Sequence, residues 1–417
     1  MPRGLASGYR TRMGQAPAET RAPSLGALKL AQAQSLLGET GLDAWLIVVR
    51  ESAERPDPIL RFFFDLDFTW TTFFLITPDW SGALVATFDA PDLVRLGLFD
   101  EVRTYQEGPR AQLLELLRRK DPGRIGINYS TDDALADGIT AGLRDYLTET
   151  LAGTPFASRI TTAAPLLSIL RGVKLEEERR LIGRAVSETE LMFERVRDRF
   201  RVGQTARQIA EEFHAEAARA GVRTAWPMHH CPTVTVGAKS PIGHVGPSDE
   251  PVTLGCAIHV DFGIVLNGYC SDLQRFWYVA PAGGAEAPEP VRRAYKAIVD
   301  AIDLAARSLR PGVPGWEIDQ KSRELLVARG YPEYPHALGH HLGRAVHDGG
   351  GVLGPRWERY GREPLEPVRV GNVYTLEPSI HLEEHGLISL EEDVVVGPKG
   401  AEFLSRFPRE LPILRLP

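Results

Sequence analysis

The stretch CAIHVDFGIVL (256–266), followed by Asn267-Gly268 and YCSDLQRFWYV (269–279), reads as one β-hairpin. Asn-Gly between two strand-like runs is the strongest short signal for a two-residue turn, because both central residues must take positive φ. With that turn fixed, Asp261 faces Gln274 across the hairpin, and Asp272 lies two residues further along the same strand. Side chains alternate faces with period two. Asp261 and Asp272 therefore fall on one face as diagonal neighbours, roughly 7–8 Å apart. Their flanking residues Ile258, Val260, Phe262, Phe276 and Trp277 are those of a buried sheet. Two carboxylates on a solvent-facing strand would need no explanation. Two buried ones need a partner.

Further along, VYTLEPSIHL (373–382) and LISLEEDVVV (387–396) predict a second strand pair, with Glu377 in one strand and Glu391 in the other. HALGHHLGRAVHDGGG (336–351) holds His336, His340, His341 and His347, four of the eleven histidines of the chain. Spacing alone does not say which of these is a ligand. His244 lies in the turn-like SPIGHVGPS before the first hairpin. Four carboxylates and one histidine make a hard, oxygen-rich set. That set suits a pair of divalent ions such as Mn²⁺, with Co²⁺, Zn²⁺ or Fe²⁺ as alternatives. Two such ions can share a water, lower its pKa and deliver it to a carbonyl. Nearby histidines can move protons or hold a tetrahedral intermediate. The residues thus predict a two-metal hydrolase.

Outward from this core the chain becomes helical. The run from Leu175 to Phe200 has helical apolar spacing, Thr205 and Gln208 form a capping box for a helix ending at Gly221, and helices are predicted from Pro290 and over 316–328. Residues 25–165 alternate strands (42–49, 68–77, 83–88, 124–129) with a helix at 111–119, which suggests a small α/β domain. A Pro78–Gly82 turn is expected between two of its strands. No chemical constellation is visible there. Residues 1–24 lack hydrophobic periodicity and read as a flexible leader without the apolar core of a secretory signal.

The whole chain has 417 residues and a formal net charge of -7, with no basic stripe, which argues against nucleic acid as a partner. No apolar run is long enough to span a membrane. Three cysteines (Cys231, Cys256, Cys270) argue against a disulfide framework and for the cytoplasm.

HVDFGIVLNGYCSD (259–272), GHHLG (339–343), YTLEP (374–378) and SLEED (389–393) resemble, in order, the metal motifs of the M24 metallopeptidases. This family includes methionine aminopeptidase, aminopeptidase P and prolidase. The resemblance covers about residues 165–400. It implies an α+β architecture: a creatinase-like N-terminal α/β domain (25–165) followed by a C-terminal pita-bread metallopeptidase domain (166–417). The first domain resembles the creatinase type on length and layout only, which points to the aminopeptidase P and prolidase branch.

By the same resemblance Asp261, Asp272, His340, Glu377 and Glu391 would be metal ligands, with Asp272 and Glu391 bridging and His340 chosen over His341. His244, His336 and His347 would contact the substrate or the intermediate. Glu377 would also shuttle the proton from the nucleophilic water to the leaving nitrogen.

Four positions depart from the family pattern: Ser379 and His381 in Glu377-Pro378-Ser379-Ile380-His381, where Gly and Tyr are usual; Ser389, where Arg is usual; and Gln274, where Thr is usual. His381 or a water is the candidate to replace the lost support.

The expected activity is hydrolysis of the bond before proline in short peptides, with a dipeptidase (prolidase) favoured. Aminopeptidase P activity is the first alternative, and a non-catalytic pita-bread binding protein the second. A metal-free amidinohydrolase conflicts with the intact ligand set, and an iron oxygenase conflicts with the excess of carboxylates. A homodimer is expected from the resemblance.

Overall fold

The computed structural model describes residues 23–241, 243, 245–284 and 286–416. Residues 1–22 of the expected leader, and His244, lie outside the described residues.

The first domain is built on a mixed six-stranded sheet of β1 (Ala44–Val49), β2 (Thr72–Thr77), β3 (Trp80–Ala86), β4 (Glu101–Tyr105), β5 (Ile125–Ile127) and β6 (Ile160–Thr162), in the order β4-β3-β2-β1-β5-β6. Every residue of β1 is buried, because both faces are covered. Trp45, Ile47 and Val49 pack with helices α1 (Leu25–Glu39), α2 (Ala90–Leu96) and α5 (Ala164–Gly172). Ala44, Leu46 and Val48 pack with α3 (Arg110–Lys120) and α4 (Ala141–Leu151). The expected Pro78–Gly82 turn is shorter than its sequence suggests. Thr77 already pairs with Trp80, so Pro78-Asp79 alone makes the reversal and Trp80–Gly82 belong to β3. The strand expected from Phe68 begins at Thr72, since the Thr69 and Trp70 amides are taken by the Asp89 carboxylate.

The second domain carries α6 (Glu176–Arg197), α7 (Ala206–Ala220), α8 (Glu289–Ser308) and α9 (Gly315–Ala328). The Thr205–Gln208 capping box opens α7, and Gly221 closes it at φ 66°. After the short β7 (Arg223–Thr224) and β8 (Thr233–Val236) comes the hairpin. It is paired in the expected register, with Asp261 opposite Gln274, but it is broken into two pieces. β9 (Ala257–Phe262) pairs with β12 (Leu273–Val279), whereas β10 (Ile264–Leu266) and β11 (Tyr269–Cys270) turn off into another sheet. Asn267 and Gly268 hold the turn at φ 52° and 79°. The break falls at Gly263, where a Cβ would lie 2.0 Å from the Ser271 carbonyl oxygen, so no larger residue fits.

Next come β13 (Gly339–His340) and β14 (Val352–Leu353), which pair with each other. The second strand pair is broken in the same way. β15 (Val373–Leu376) pairs with β18 (Glu392–Gly397), while β16 (Ser379–Leu382) pairs with β17 (Gly386–Ser389). Glu377 and Glu391 sit at the interruption. A strand Pro, here Pro378, has no N–H to give to the ladder.

Alternate residues of β12 serve two cores. Phe276 and Tyr278 pack with Ile298 and Ile302 of α8, and Trp277 and Val279 pack with Phe193 of α6 and Phe213 of α7. Helices thus cover both faces of the sheets, and the breaks open between them.

A buried ionic network surrounds α5 and the start of α6, where the first domain meets the second. Asp348 accepts from Arg171 Nη2 at 2.6 Å and Lys174 Nζ at 2.7 Å, and all three side chains are buried. Burial alone would raise the Asp348 pKa, but the two cations outweigh it and hold the carboxyl below its ordinary value. Lys29 of α1 reaches Glu178 of α6 at 2.9 Å, and Tyr269 donates to the same carboxylate at 3.0 Å. Burial still pushes Lys29 down to about 8 against the pull of Glu178.

Candidate metal centre

The two broken strand pairs meet through a bridge between Gln274 and Glu391, and β13 runs beside β15 through a bridge between His341 and Tyr374. This brings Asp261 and Asp272 from the first pair, Glu377 and Glu391 from the second, and His340 from β13 to one place. His340 Nε2 lies 3.7 Å from Asp272 Oδ2, 3.6 Å from Glu377 Oε1 and 3.9 Å from Glu391 Oε1. The ligand atoms of Asp272, His340 and Glu391 all lie within 4.8 Å of one another. The Asp261 and Asp272 carboxyls are in hydrogen-bond reach.

The electrostatics are those of a site built for a cation. Burial raises Asp261, and burial followed by Glu391 and Asp261 raises Asp272 well above its ordinary value. Burial and Asp261 do the same to Glu377, and burial and Glu377 to Glu391. Among the described residues no Lys or Arg forms an ion pair with these four. Asp261 Oδ1, Asp272 Oδ1 and Glu391 Oε1 are buried without a hydrogen-bond partner.

His340 Nδ1 lies 3.2 Å from the His341 carbonyl oxygen, which only accepts, so Nδ1 carries the proton. Nε2 of the neutral ring then presents a lone pair to three carboxylates, an arrangement that repels unless a positive charge lies between. Burial, then His347, lowers the His340 pKa well below the ordinary range, so the ring does not supply that charge itself. The donor set and its orphaned oxygens fit divalent cations.

The remaining histidines are placed differently. His341 is buried, stacks on Tyr374 with ring centroids 4.1 Å apart, and faces the Val373 carbonyl, away from the carboxylates. His347 is exposed and stands edge-on to His340, ring centroids 4.3 Å apart. His336 is half-buried. Its Nδ1 faces the Ala337 carbonyl at 2.8 Å, and its Nε2 lies 2.7 Å from the Ser379 hydroxyl. His244 falls outside the described residues.

The two serines that depart from the family pattern face each other in the β16–β17 ladder, and Ser389 donates to the Pro378 carbonyl at 3.1 Å. His381 is exposed. Among the described residues no hydrogen bond or ion pair joins it to the four acids, so the expectation that it replaces the missing support is corrected. Sequence reasoning also missed the part played by Gln274 and His259. The signal was present, since Gln274 is an uncharged polar residue directly opposite Asp261 in an apolar strand.

Comparison with known proteins fits this geometry. The model of Metallopeptidase family M24 matches residues 180–398, just over half of the chain. The chain belongs to this family. It is 32% identical over 182 residues to the "Uncharacterized peptidase YqhT" of Bacillus subtilis, covering 43% of this chain and 48% of that protein. It is 29% identical over 280 residues to the "Putative dipeptidase YkvY" of the same organism, covering 67% and 71%. To the "Xaa-Pro dipeptidase" of Pyrococcus furiosus it is 28% identical over 179 residues, covering 43% and 48%. The matched stretch thus spans about half the length of the first and third of these relatives.

Among solved structures, the Xaa-Pro dipeptidase of Bacillus anthracis superposes with a TM-score of 0.71 at 20% identity, over 93% of this chain and 100% of that one. The X-Pro aminopeptidase of Thermotoga maritima gives 0.67 at 24% identity, over 92% and 99%. The fold is the expected one, a pita-bread M24 domain preceded by an N-terminal α/β domain. No helix among the described residues is long and apolar enough to cross a membrane.

Proposed function

We propose that this M24 metallopeptidase hydrolyses the Xaa-Pro bond of short peptides with two divalent ions, Mn²⁺ first among them, and that dipeptides are its preferred substrates. One observation carries the reading: His340 Nε2 faces Asp272, Glu377 and Glu391 within 4 Å, and among the described residues no Lys or Arg pairs with them. The similarity to Xaa-Pro dipeptidases directs the choice of substrate.

Asp261, Asp272, His340, Glu377 and Glu391 would hold the ions. Bound there, divalent ions supply Lewis-acid activation of a peptide carbonyl and a water of lowered pKa. Glu377 is the most accessible of the acids that face His340, with 21% of its side chain exposed against 1% for Glu391. It would take the proton of the attacking water and pass it to the leaving proline nitrogen, as a general base that becomes a general acid. His347 at the rim, with His336 and His244, would hold the substrate carbonyl and stabilise negative charge on its oxygen. We also assign a homodimer and a cytoplasmic setting to the protein, with residues 25–165 as the N-terminal and 166–417 as the catalytic domain.

The test compares release of proline from an Xaa-Pro dipeptide with cleavage of the same residues extended to an Xaa-Pro-Xaa tripeptide, after metal is stripped and Mn²⁺ restored. Fast dipeptide and slow tripeptide cleavage is the expected result. The reverse would make the protein an aminopeptidase. No cleavage of either with metal bound would withdraw the peptidase reading.

A further inference from the structure

Gln274 of β12 is 7% exposed and lies across from Asp261. Its side-chain amide touches three groups. Oε1 lies 2.9 Å from Nε2 of the buried His259. Nε2 lies 3.0 Å from Oε2 of Glu391 and 3.3 Å from Oε2 of Glu377. Ionised carboxylates only accept, so the N–H face of the amide must be turned to the glutamates. This turns Oε1 to His259, whose Nε2 must then carry a proton, because an amide oxygen also only accepts. The flipped amide would set its oxygen against two carboxylates. The backbone repeats the contact, with Gln274 donating to the Glu391 carbonyl at 3.4 Å and Glu391 donating back at 3.2 Å.

The division of oxygens is the informative part. In each glutamate Gln274 takes Oε2, and Oε1 is left facing His340, at 3.6 Å for Glu377 and 3.9 Å for Glu391. Glu391 Oε1 has no other partner. A single amide therefore holds both acids by Oε2 and turns Oε1 of each toward His340.

We infer that Gln274 is a positioning residue: it clamps one oxygen of Glu377 and of Glu391, aims the other at the cation site, and so sets the affinity for divalent metal, while His259 locks its amide in the required orientation. This rests on the metal-site reading above but not on the choice of substrate. Groups behind metal ligands typically contribute about 10–100-fold in affinity.

The test is calorimetric titration of stripped full-length protein with Mn²⁺. Gln274→Met keeps the length and removes the donor, and it should weaken binding about 10–100-fold. His259→Leu frees the amide to rotate and should weaken binding by a smaller factor. The double variant should bind no worse than Gln274→Met alone, since His259 acts only through Gln274. The melting temperature of each metal-free variant shows that it is folded.

Wild-type affinity in Gln274→Met, or additive losses in the double variant, would overturn the inference. If Gln274→Met does not fold, His259→Leu decides, and unchanged affinity there overturns it. Absence of Mn²⁺ binding by the wild type would overturn it together with the metal-site reading. Normal binding without peptide hydrolysis would sink the proposed function alone.

Discussion

The chain buries charge in several places, and two of them follow opposite plans. At the junction around α5 and α6 two buried acids meet cations: Asp348 lies between Arg171 and Lys174, and Glu178 meets Lys29. The metal site follows the second plan. There Glu377 and Glu391 join Asp261 and Asp272, and among the described residues no Lys or Arg pairs with any of the four. The junction is balanced from within. The site has no such balance among the described residues. The difference separates buried charge that holds a structure together from buried charge that waits for a ligand, and the pKa directions agree. Asp348 is held below its ordinary value by its cations, whereas all four site acids are raised by burial, with neighbouring acids raising Asp272, Glu377 and Glu391 further.

The contrast predicts opposite signs for equivalent deletions. The largest effect belongs to the junction. Asp348→Ala leaves Arg171 and Lys174 buried without a counter-charge, and breaking a buried pair this way costs about 3–5 kcal/mol. Urea denaturation should show that loss, and a change within experimental error would mean that the network does not stabilise the fold.

The next effect is smaller and has the other sign. Asp272→Asn removes one of four crowded acids, so the metal-free protein should gain stability on the order of 1 kcal/mol. The same variant should lose the stabilisation that added Mn²⁺ gives the wild type, which grows with ligand concentration over Kd. A less stable metal-free variant would contradict the comparison.

The smallest effect is the pH dependence of that gain. The folded-state pKa of Asp272 is raised above its unfolded value, so its contribution to stability is present below the unfolded pKa and lost as pH rises through the folded one. Wild type and Asp272→Asn should therefore differ most above neutral pH and converge in mild acid. Melting curves at a series of pH values check this, and a difference that grows toward acid would reverse the assignment.

Much of the site was legible because it is written in local chemistry. Asn267-Gly268 fixes the turn and the turn fixes the register, which put Asp261 opposite Gln274 before any coordinates. The capping box at Thr205 and Gln208 is equally local. What escaped depends on long-range packing. The strands break at Gly263 and at Glu377-Pro378 because other segments press against them, and alternation alone reads straight through both points. The junction was invisible because Asp348 and Arg171 are 177 residues apart in sequence. Histidine spacing left His340 and His341 open, and only the resemblance chose between them. In the structure Tyr374 stacks on His341 while His340 faces the acids.

The most direct test of the central claim is a crystal structure of the protein soaked in Mn²⁺, with data collected for anomalous scattering. Two anomalous peaks are expected, enclosed by Asp261, Asp272, His340, Glu377 and Glu391. A map with no peak among these five side chains would contradict it.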